Sequence, residues 1–176
     1  MPAPTKAQLR AQLRAVRRAI IADPADRAAR SARIWARIVA LTDLGAEPLE
    51  DEPNRAQMTC RRVLLYRSLP GEPDTAAWFA WCAEHDVDAF EPEVAGVALR
   101  VMPGDVDTGS LDVVVVPGLG FTVDGRRLGQ GGGHYDRFLP RLRPRCITIG
   151  VAFAEQLLVD LPTEPHDARV DHVITA

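Results

Sequence analysis

The sequence predicts an α/β fold: a single three-layer domain with a mostly parallel central sheet and helices on both faces. Residues 113–116 are four consecutive valines, and β-branched residues without polar interruption are typical of a strand buried on both faces. A second apolar run, 147–153, follows a helical segment, and strands that alternate with helices favour parallel pairing. The length of 176 residues fits one domain over 1–176, without an internal repeat.

Two helices are predicted at the N-terminus. Thr5 and Gln8 have the spacing of a capping box, which predicts a helix start. The apolar stripe of this helix comprises Leu9, Leu13, Val16 and Ile20. Asp23 and Pro24 end the first helix and begin the second, which we expect to end at Gly45. The buried side of the second helix is predicted to comprise Ile34, Ile38 and Leu41.

The middle of the chain predicts a loop, a strand and a third helix. Residues 46–59 are polar and acidic without periodicity, which indicates an exposed loop. The apolar run 63–66 predicts a buried strand. A turn follows, and Asp74 or Thr75 is expected to begin a helix. The aromatic and thiol side chains of this helix are predicted core residues: Trp78, Phe79, Trp81 and Cys82.

The remaining elements are shorter. Residues 90–94 and 97–102 predict two strands, and 133–139 predict a helix limited by Pro140. A short helix at 155–158 and a final strand at 173–174 complete the predicted order.

Composition limits the classes of partner. The formal net charge is −3, so no basic field indicates nucleic-acid binding. The first 18 residues lack the apolar core of a signal peptide, and no run is long enough to span a membrane. Three scattered cysteines, Cys60, Cys82 and Cys146, are typical of reduced thiols. We therefore expect a cytoplasmic protein. Its expected oligomeric state is a monomer.

The most informative segment is rich in glycine and lies between the valine strand and a helix. It reads Pro-Gly-Leu-Gly-Phe over 117–121 and Gly-Arg-Arg-Leu-Gly-Gln-Gly-Gly-Gly-His-Tyr-Asp-Arg over 125–137. Glycines let backbone N–H groups approach phosphate oxygens, and a helix start adds partial positive charge. Arg127 offers a planar donor fork to phosphate, and Asp136 offers an oxygen ligand to Mg²⁺.

Other interpretations of this segment are weaker. It is not a Walker A loop, because no Gly-Lys-Ser/Thr follows, and its glycines come too late in the chain for a dinucleotide fingerprint. It could instead be a surface loop that needs glycine only for turns. Five glycines within residues 125–133, flanked by Arg127 and Asp136, favour a nucleotide-phosphate site.

The segment resembles the 5-formyltetrahydrofolate cyclo-ligase family, also called methenyltetrahydrofolate synthetase. The family pattern is Pro-Gly-x-x-Phe followed by Arg-Leu-Gly-x-Gly-x-Gly-aromatic-Tyr-Asp, here 117–121 and 127–136. Three further pieces match in order: Lys6-x-x-Leu9-Arg10, the turn 69–75, and the C-terminal pieces Ala152-Phe153-x-Glu155-Gln156, Pro165-His166-Asp167 and Val170-Asp171. The likeness extends over nearly the whole chain.

This resemblance implies a reaction and a set of site residues. The reaction converts 5-formyltetrahydrofolate to 5,10-methenyltetrahydrofolate and consumes MgATP. The resemblance assigns to ATP the residues Lys6, Arg10, Arg127, Gly129, Gln130, Gly131, Gly132, Gly133, His134 and Tyr135. It assigns Glu72, Arg67 and Tyr135 to the folate, Asp136 and Asp171 to Mg²⁺, and Tyr135 and Arg127 to catalysis.

Each assignment has a simpler alternative. Lys6 and Arg10 have the i, i+4 spacing of ordinary surface charges, Glu72 could only decorate a turn, and Asp171 could cap a strand. No cysteine or further histidine completes a zinc set with His166 and His172, so zinc is not expected.

Two departures from the family pattern concern the folate side. Only 103–111 separate the preceding strand from the valine strand, and the family's Gly-Ile-x-Glu-Pro-like segment is missing there. The aromatic before Tyr135 is replaced by the smaller and more polar His134. These departures leave two alternatives: an ATP-dependent enzyme with another small substrate, or a regulatory nucleotide-binding relative.

Overall fold

The structure, a computed structural model, describes residues 4–45, 60–103 and 106–176. The predicted loop at 46–59 lies outside the described residues. The helices are α1 Lys6–Ile21, α2 Pro24–Thr42, α3 Ala76–Glu84 and α4 His134–Phe138. The strands are β1 Arg62–Leu64, β2 Asp88–Ala95, β3 Ala98–Met102, β4 Val113–Pro117, β5 Gly120–Thr122, β6 Arg127–Leu128, β7 Ile147–Ala152, β8 Leu157–Leu158 and β9 His172–Thr175.

The central sheet has six strands in the order β3-β2-β1-β4-β7-β9. All neighbours pair in parallel except β2 and β3, which form an antiparallel hairpin at one edge. Strand β4 lies inside the sheet, and its four valines have no exposed surface. The predicted fold class, a mostly parallel α/β sheet around a buried valine strand, is confirmed.

Helices cover both faces of this sheet. Helices α1, α2 and α3 bury Ile20, Ile34 and Trp78 against alternate residues of β1, β4 and β7. Trp35 and Trp78 stack with their ring centroids 5.3 Å apart, and Trp78 Nε1 donates a hydrogen bond to the Ser31 carbonyl. Helix α4 places Phe138 on the opposite face, beside Val114 and Val116. The three layers therefore follow from the two faces of the valine strand.

Local capping chemistry fixes the N-terminal helices as predicted. Thr5 N donates to Gln8 Oε1 at 2.8 Å, and Gln8 N donates to Thr5 Oγ1 at 3.3 Å, which completes the capping box. Asp23 accepts from Asp26 N and caps α2, with Pro24 in its first turn.

The predicted helix faces differ from the structure at three positions. Arg17 is buried in α1, while the neighbouring Val16 is only partly buried. Leu41 is 44% exposed, because Leu44, just beyond the helix, fills the core instead. The helix ends at Thr42, followed by Asp43 in the left-handed region at φ 50°, so Gly45 does not end it.

Strand β4 does not run directly into the glycine-rich loop. Strands β5 and β6 come between them in sequence and join β8 in a second sheet, with the strand order β6-β5-β8. The predicted helix at 155–158 is a 3₁₀ turn at Ala154–Gln156 followed by β8. Gln156 is fully buried, donates to the Leu119 carbonyl at 2.8 Å and accepts from Phe153 N. This amide therefore ties the small sheet to the end of β7.

In the part of the chain that the structure describes, no helix combines the length and apolar character that crossing a bilayer requires.

Candidate functional site

A cavity of about 690 Å³ opens at the carboxyl ends of β1 and β4. This volume lies within the usual range for small-molecule sites, and the position is the expected one for a parallel sheet. Six segments form its walls: the start of α1, the turn after β1, the β2–β3 hairpin, the turn after β4, the glycine-rich loop with the start of α4, and a C-terminal segment around 164–167. Most of the predicted site residues line this one cavity.

The glycine-rich loop, Gly129–Gly133, lines the cavity throughout. Its carbonyls are bound by arginines: Arg10 Nε donates to the Gly129 carbonyl at 3.0 Å, and Arg137 Nη2 donates to the Gly132 carbonyl at 2.6 Å. Within the described part of the chain, the amides of 131–133 have no hydrogen-bond acceptor. The loop therefore has unbonded amides beside the cavity, while its Gly129 and Gly132 carbonyls are already bound.

Gly131 has the backbone geometry that such a loop requires. Its φ is +111°, a value that side chains with a Cβ rarely adopt. A Cβ built at this position would have only Arg10 Cζ nearby, at 3.9 Å. The space beside Gly131 is therefore open toward a guanidinium group.

Arg127 is the most buried cation of the cavity wall. Its side chain is 4% exposed and donates from Nη2 to Asp136 Oδ1 at 2.8 Å. The guanidinium lies 5.5 Å from the Tyr135 ring centroid. Its Nε has no hydrogen-bond partner in the structure.

Lys6 and Arg10 point from α1 into the same cavity, as the resemblance implied. Lys6 Nζ lies 2.7 Å from Asp167 Oδ2 and 3.3 Å from Glu164 Oε1. Burial opposes the charged ammonium, but the hydrogen bonds to these carboxylates raise the pKa of Lys6 above its usual value. The simpler alternative, two free surface charges on α1, is therefore wrong, because both side chains are bound to loops of the cavity.

The structure separates the two predicted magnesium ligands. Asp136 lines the cavity, and its Oδ1 also accepts from Ala168 N at 3.3 Å. Asp171 precedes β9, at the amino ends of the strands, and its Oδ2 accepts from the amide and hydroxyl of Thr148. Asp171 is not among the residues that line the cavity. The prediction that Asp171 and Asp136 bind magnesium together is wrong, because Asp171 lies at the amino end of β9 and the cavity opens at the carboxyl ends of the strands.

Glu72 lies at the back of the cavity and is 4% exposed. Its Oε2 accepts from Leu69 N at 3.0 Å, and its Oε1 lies 2.9 Å from Arg17 Nη1. Arg67 lies at the rim, where its largely exposed side chain pairs with Glu91 at 2.8 Å. The three residues assigned to the folate, Glu72, Arg67 and Tyr135, therefore share the cavity at different depths.

Tyr135 follows His134 at the start of α4 and lies against Phe138. Burial raises the pKa of the Tyr135 phenol well above its usual value, although the Arg127 guanidinium acts in the opposite direction. The phenol is therefore neutral near pH 7, and a neutral phenol is able to donate a hydrogen bond.

The β2–β3 hairpin provides the apolar wall of the cavity through Pro92, Val94 and Leu99. It is bonded to the start of α4: His134 Nε2 lies 3.3 Å from the Gly96 carbonyl, and Arg137 Nε donates to the Val97 carbonyl at 2.9 Å. The missing family segment before β4 therefore does not leave this side without a wall. His134, at the expected aromatic position, bonds to the hairpin.

Three residues of the site were not predicted from the sequence. Asp167 and Glu164 neutralise Lys6, and Arg17 neutralises Glu72. Asp167 stands inside a C-terminal piece that resembles the family, and this position could have indicated it. Arg17 lies on the same helix face as Leu13 and Ile20. The one sequence feature that could have indicated its buried contacts is therefore a cation at a position where the helical period calls for an apolar residue.

Comparison with known proteins agrees with the motifs. A sequence model of the 5-formyltetrahydrofolate cyclo-ligase family matches residues 98–176. The 5-formyltetrahydrofolate cyclo-ligase of Mus musculus is 42% identical over 73 residues, 39% of this chain and 36% of that protein. The same-named protein of Mycolicibacterium smegmatis is 42% identical over 67 residues, 38% of this chain and 34% of that protein. The matches thus span about a third of these relatives.

Solved structures extend the likeness to the whole chain. The 5,10-methenyltetrahydrofolate synthetase of Aquifex aeolicus has a TM-score of 0.75 and 25% identity, covering 97% of this chain and 89% of that one. That of Mycoplasma pneumoniae has a TM-score of 0.75 and 24% identity, covering 96% and 97%. The predicted resemblance is confirmed: this chain resembles the 5-formyltetrahydrofolate cyclo-ligase family in sequence over 98–176 and in fold over nearly its whole length.

Proposed function

We propose that the protein converts 5-formyltetrahydrofolate to 5,10-methenyltetrahydrofolate with consumption of MgATP. The observation that carries this proposal is one cavity with two chemically different sides. The glycine-rich loop, whose amides at 131–133 are unbonded, lines it together with Arg127, and the Glu72 carboxylate and an apolar hairpin line it elsewhere. The first side suits a polyphosphate, and the second suits a flat heterocycle with N–H donors.

The phosphate side has donors of three kinds. The loop amides offer short backbone hydrogen bonds, Arg127 offers a planar fork, and Lys6 and Arg10 add positive charge from α1. Catalysis of phosphoryl transfer needs mainly positioning and neutralisation of charge on the transferred group. These groups are held by Asp136, Gly129 and Asp167 before a ligand arrives. The site is therefore preorganised for that task.

Asp136 is the proposed magnesium ligand of this chain. Its Oδ1 is shared by Arg127 and the Ala168 amide, and hard carboxylate oxygens suit this ion. Asp167 also lines the cavity and joins it in place of Asp171. A magnesium ion held there would supply positive charge to neutralise the transferred phosphoryl group.

The reaction needs two bond exchanges. The formyl oxygen of the folate attacks the γ-phosphorus, an O–P bond forms, and ADP leaves. N10 then attacks the activated formyl carbon, its C–O bond breaks, and phosphate leaves while N10 loses its proton. Arg127 would stabilise charge on the transferred phosphoryl group. Tyr135 beside it would donate to an oxygen of the reacting groups.

The decisive experiment is an absorbance assay for the methenyl-folate chromophore with and without MgATP. We expect the chromophore to form only when both 5-formyltetrahydrofolate and MgATP are present, with one ADP released for each product molecule. Uncoupled ATP hydrolysis, or product without ATP, would contradict the proposal.

A second candidate is an ATP-dependent enzyme that acts on another small substrate. The observation that favours it is the folate side, where the family's segment before β4 is missing from 103–111 and the polar His134 takes the place of the family's aromatic residue. Calorimetry separates the two: binding of ATP without binding of 5-formyltetrahydrofolate would favour this candidate, and a screen of formylated substrates and amides would follow.

Tyr135→Phe tests the neutral-donor role of the phenol. Removal of one neutral hydrogen bond should lower kcat about tenfold. Because burial raises the pKa of Tyr135, the phenol stays protonated as pH increases, and kcat of the wild type should show no loss from this group up to about pH 10. A decline of kcat near pH 9 that vanishes in Tyr135→Phe would show that the phenol ionises during turnover.

A further inference from the structure

We propose that Arg17 is a positioning residue that holds the Glu72 carboxylate in the orientation required for folate binding. Arg17 does not line the cavity, whereas Glu72 and Gly118 do. The inference rests on the proposed function, in which Glu72 anchors the heterocycle.

The contacts of Arg17 are made from behind the cavity wall. Its side chain is 7% exposed, and the Glu72 side chain is 6% exposed. Arg17 Nη1 lies 2.9 Å from Glu72 Oε1, and Nη2 donates to the Gly118 carbonyl at 2.6 Å. One guanidinium thus joins the turn after β1 to the turn after β4, the two loops that form the floor of the cavity.

The turn itself is fitted to Arg17. Gly71 has φ +79°, and a Cβ there would lie 2.9 Å from both the Cβ and the carbonyl oxygen of Arg17. On the other side, Arg27 Nε donates to the Glu72 carbonyl at 2.8 Å. Glu72 is therefore held by α1 at its carboxylate and by α2 at its carbonyl. Its local hydrogen bonds are both with Leu69: Glu72 N donates to the Leu69 carbonyl, and Oε2 accepts from Leu69 N.

This arrangement determines which oxygens of Glu72 remain for a ligand. Arg17 binds one oxygen of the Glu72 carboxylate, and the Leu69 amide binds the other, each from a fixed direction. The orientation of the carboxylate is therefore fixed, its remaining lone pairs are left for a ligand, and the Arg17 guanidinium balances its negative charge. A planar fork is required, because a lysine ammonium cannot hold Glu72 and Gly118 with the same geometry. A displacement of about 1 Å at a binding group costs about 100-fold in efficiency.

Steady-state kinetics of methenyl formation test the inference. Arg17→Met is expected to lower kcat/KM for 5-formyltetrahydrofolate about 100-fold while KM for MgATP changes little. Arg17→Lys should recover part of this loss. Arg18→Met is the matched control, because Arg18 is the exposed next residue of α1 and should behave as wild type.

A double-mutant cycle with Glu72→Gln separates positioning from a general structural role. If Arg17 acts through Glu72, adding Arg17→Met to Glu72→Gln should lower kcat/KM little further. An equal loss in both backgrounds, or an equal increase of both KM values, would overturn the inference. Circular dichroism checks folding, and if Arg17→Met does not fold, Arg17→Lys is the test: wild-type kinetics in that variant would overturn the inference.

The two proposals fail differently. A wild-type protein that forms no methenyl product with MgATP refutes the proposed function and the inference with it. If the wild type is active but the effects of Arg17→Met and Glu72→Gln on kcat/KM are additive, only the proposed role of Arg17 is refuted, and the proposed function stands.

Discussion

Arg127→Met is expected to lower kcat/KM for MgATP about 1000-fold, since an arginine that stabilises transferred phosphoryl charge contributes on this order. The substitution removes the buried fork with its free Nε and leaves the Asp136 carboxylate without its cation. Arg127→Lys should be intermediate, because it keeps the charge but loses the planar geometry. Coupled ADP release measures the effect.

The adjacent Arg126 provides the matched control. Arg126 bonds to Asp124, Asp160 and the Leu161 carbonyl and does not line the main cavity. Arg126→Met should therefore keep the wild-type KM for MgATP. Similar kinetics in Arg126→Met and Arg127→Met, with both folded by circular dichroism, would show that the assignment of Arg127 to phosphate is wrong.

Gly131→Ala is expected to weaken ATP binding roughly 100-fold, measured by calorimetry. The methyl group would enter the open space beside Gly131, where φ is +111°, and would keep phosphate oxygens from the loop amides. Losing two hydrogen bonds to a charged group costs about 3 kcal/mol, which is roughly 100-fold in affinity.

Gly96→Ala controls for backbone strain. Gly96 also has positive φ, at +61°, and a Cβ there would have no neighbour within 4 Å. Its substitution adds strain at the hairpin tip without filling the phosphate side. If both variants lost the same ATP affinity, strain rather than access to the amides would explain the effect.

Local chemistry made much of this molecule predictable. The capping box of Thr5 and Gln8, the cap at Asp23 and the valine strand each depend on residues a few positions apart, and each is present in the structure. The glycine-rich loop was recognisable for the same reason, because spacing along the chain reports its backbone geometry. Strands at the correct places then implied the cavity at their carboxyl ends.

The incorrect predictions concern residues whose position depends on distant parts of the chain. Asp171 resembled a ligand by its place in a motif, but the parallel pairing of β9 with β7 puts it beside Thr148. Arg17 lies in an apolar stripe and could be understood only once Glu72 and Gly118 were known to face it. The small sheet of β5, β6 and β8 likewise depends on Gln156, whose partners are far apart in sequence.

Helix α1 also governs when the cavity can exist during folding. Its side chains reach partners 161, 119 and 101 residues away, through Lys6–Asp167, Arg10–Gly129 and Arg17–Gly118. Contacts of such long range form only after large loops have closed, which is slow. A nascent chain must therefore have been synthesised beyond residue 167 before Lys6 can bind Asp167 and complete this side of the cavity.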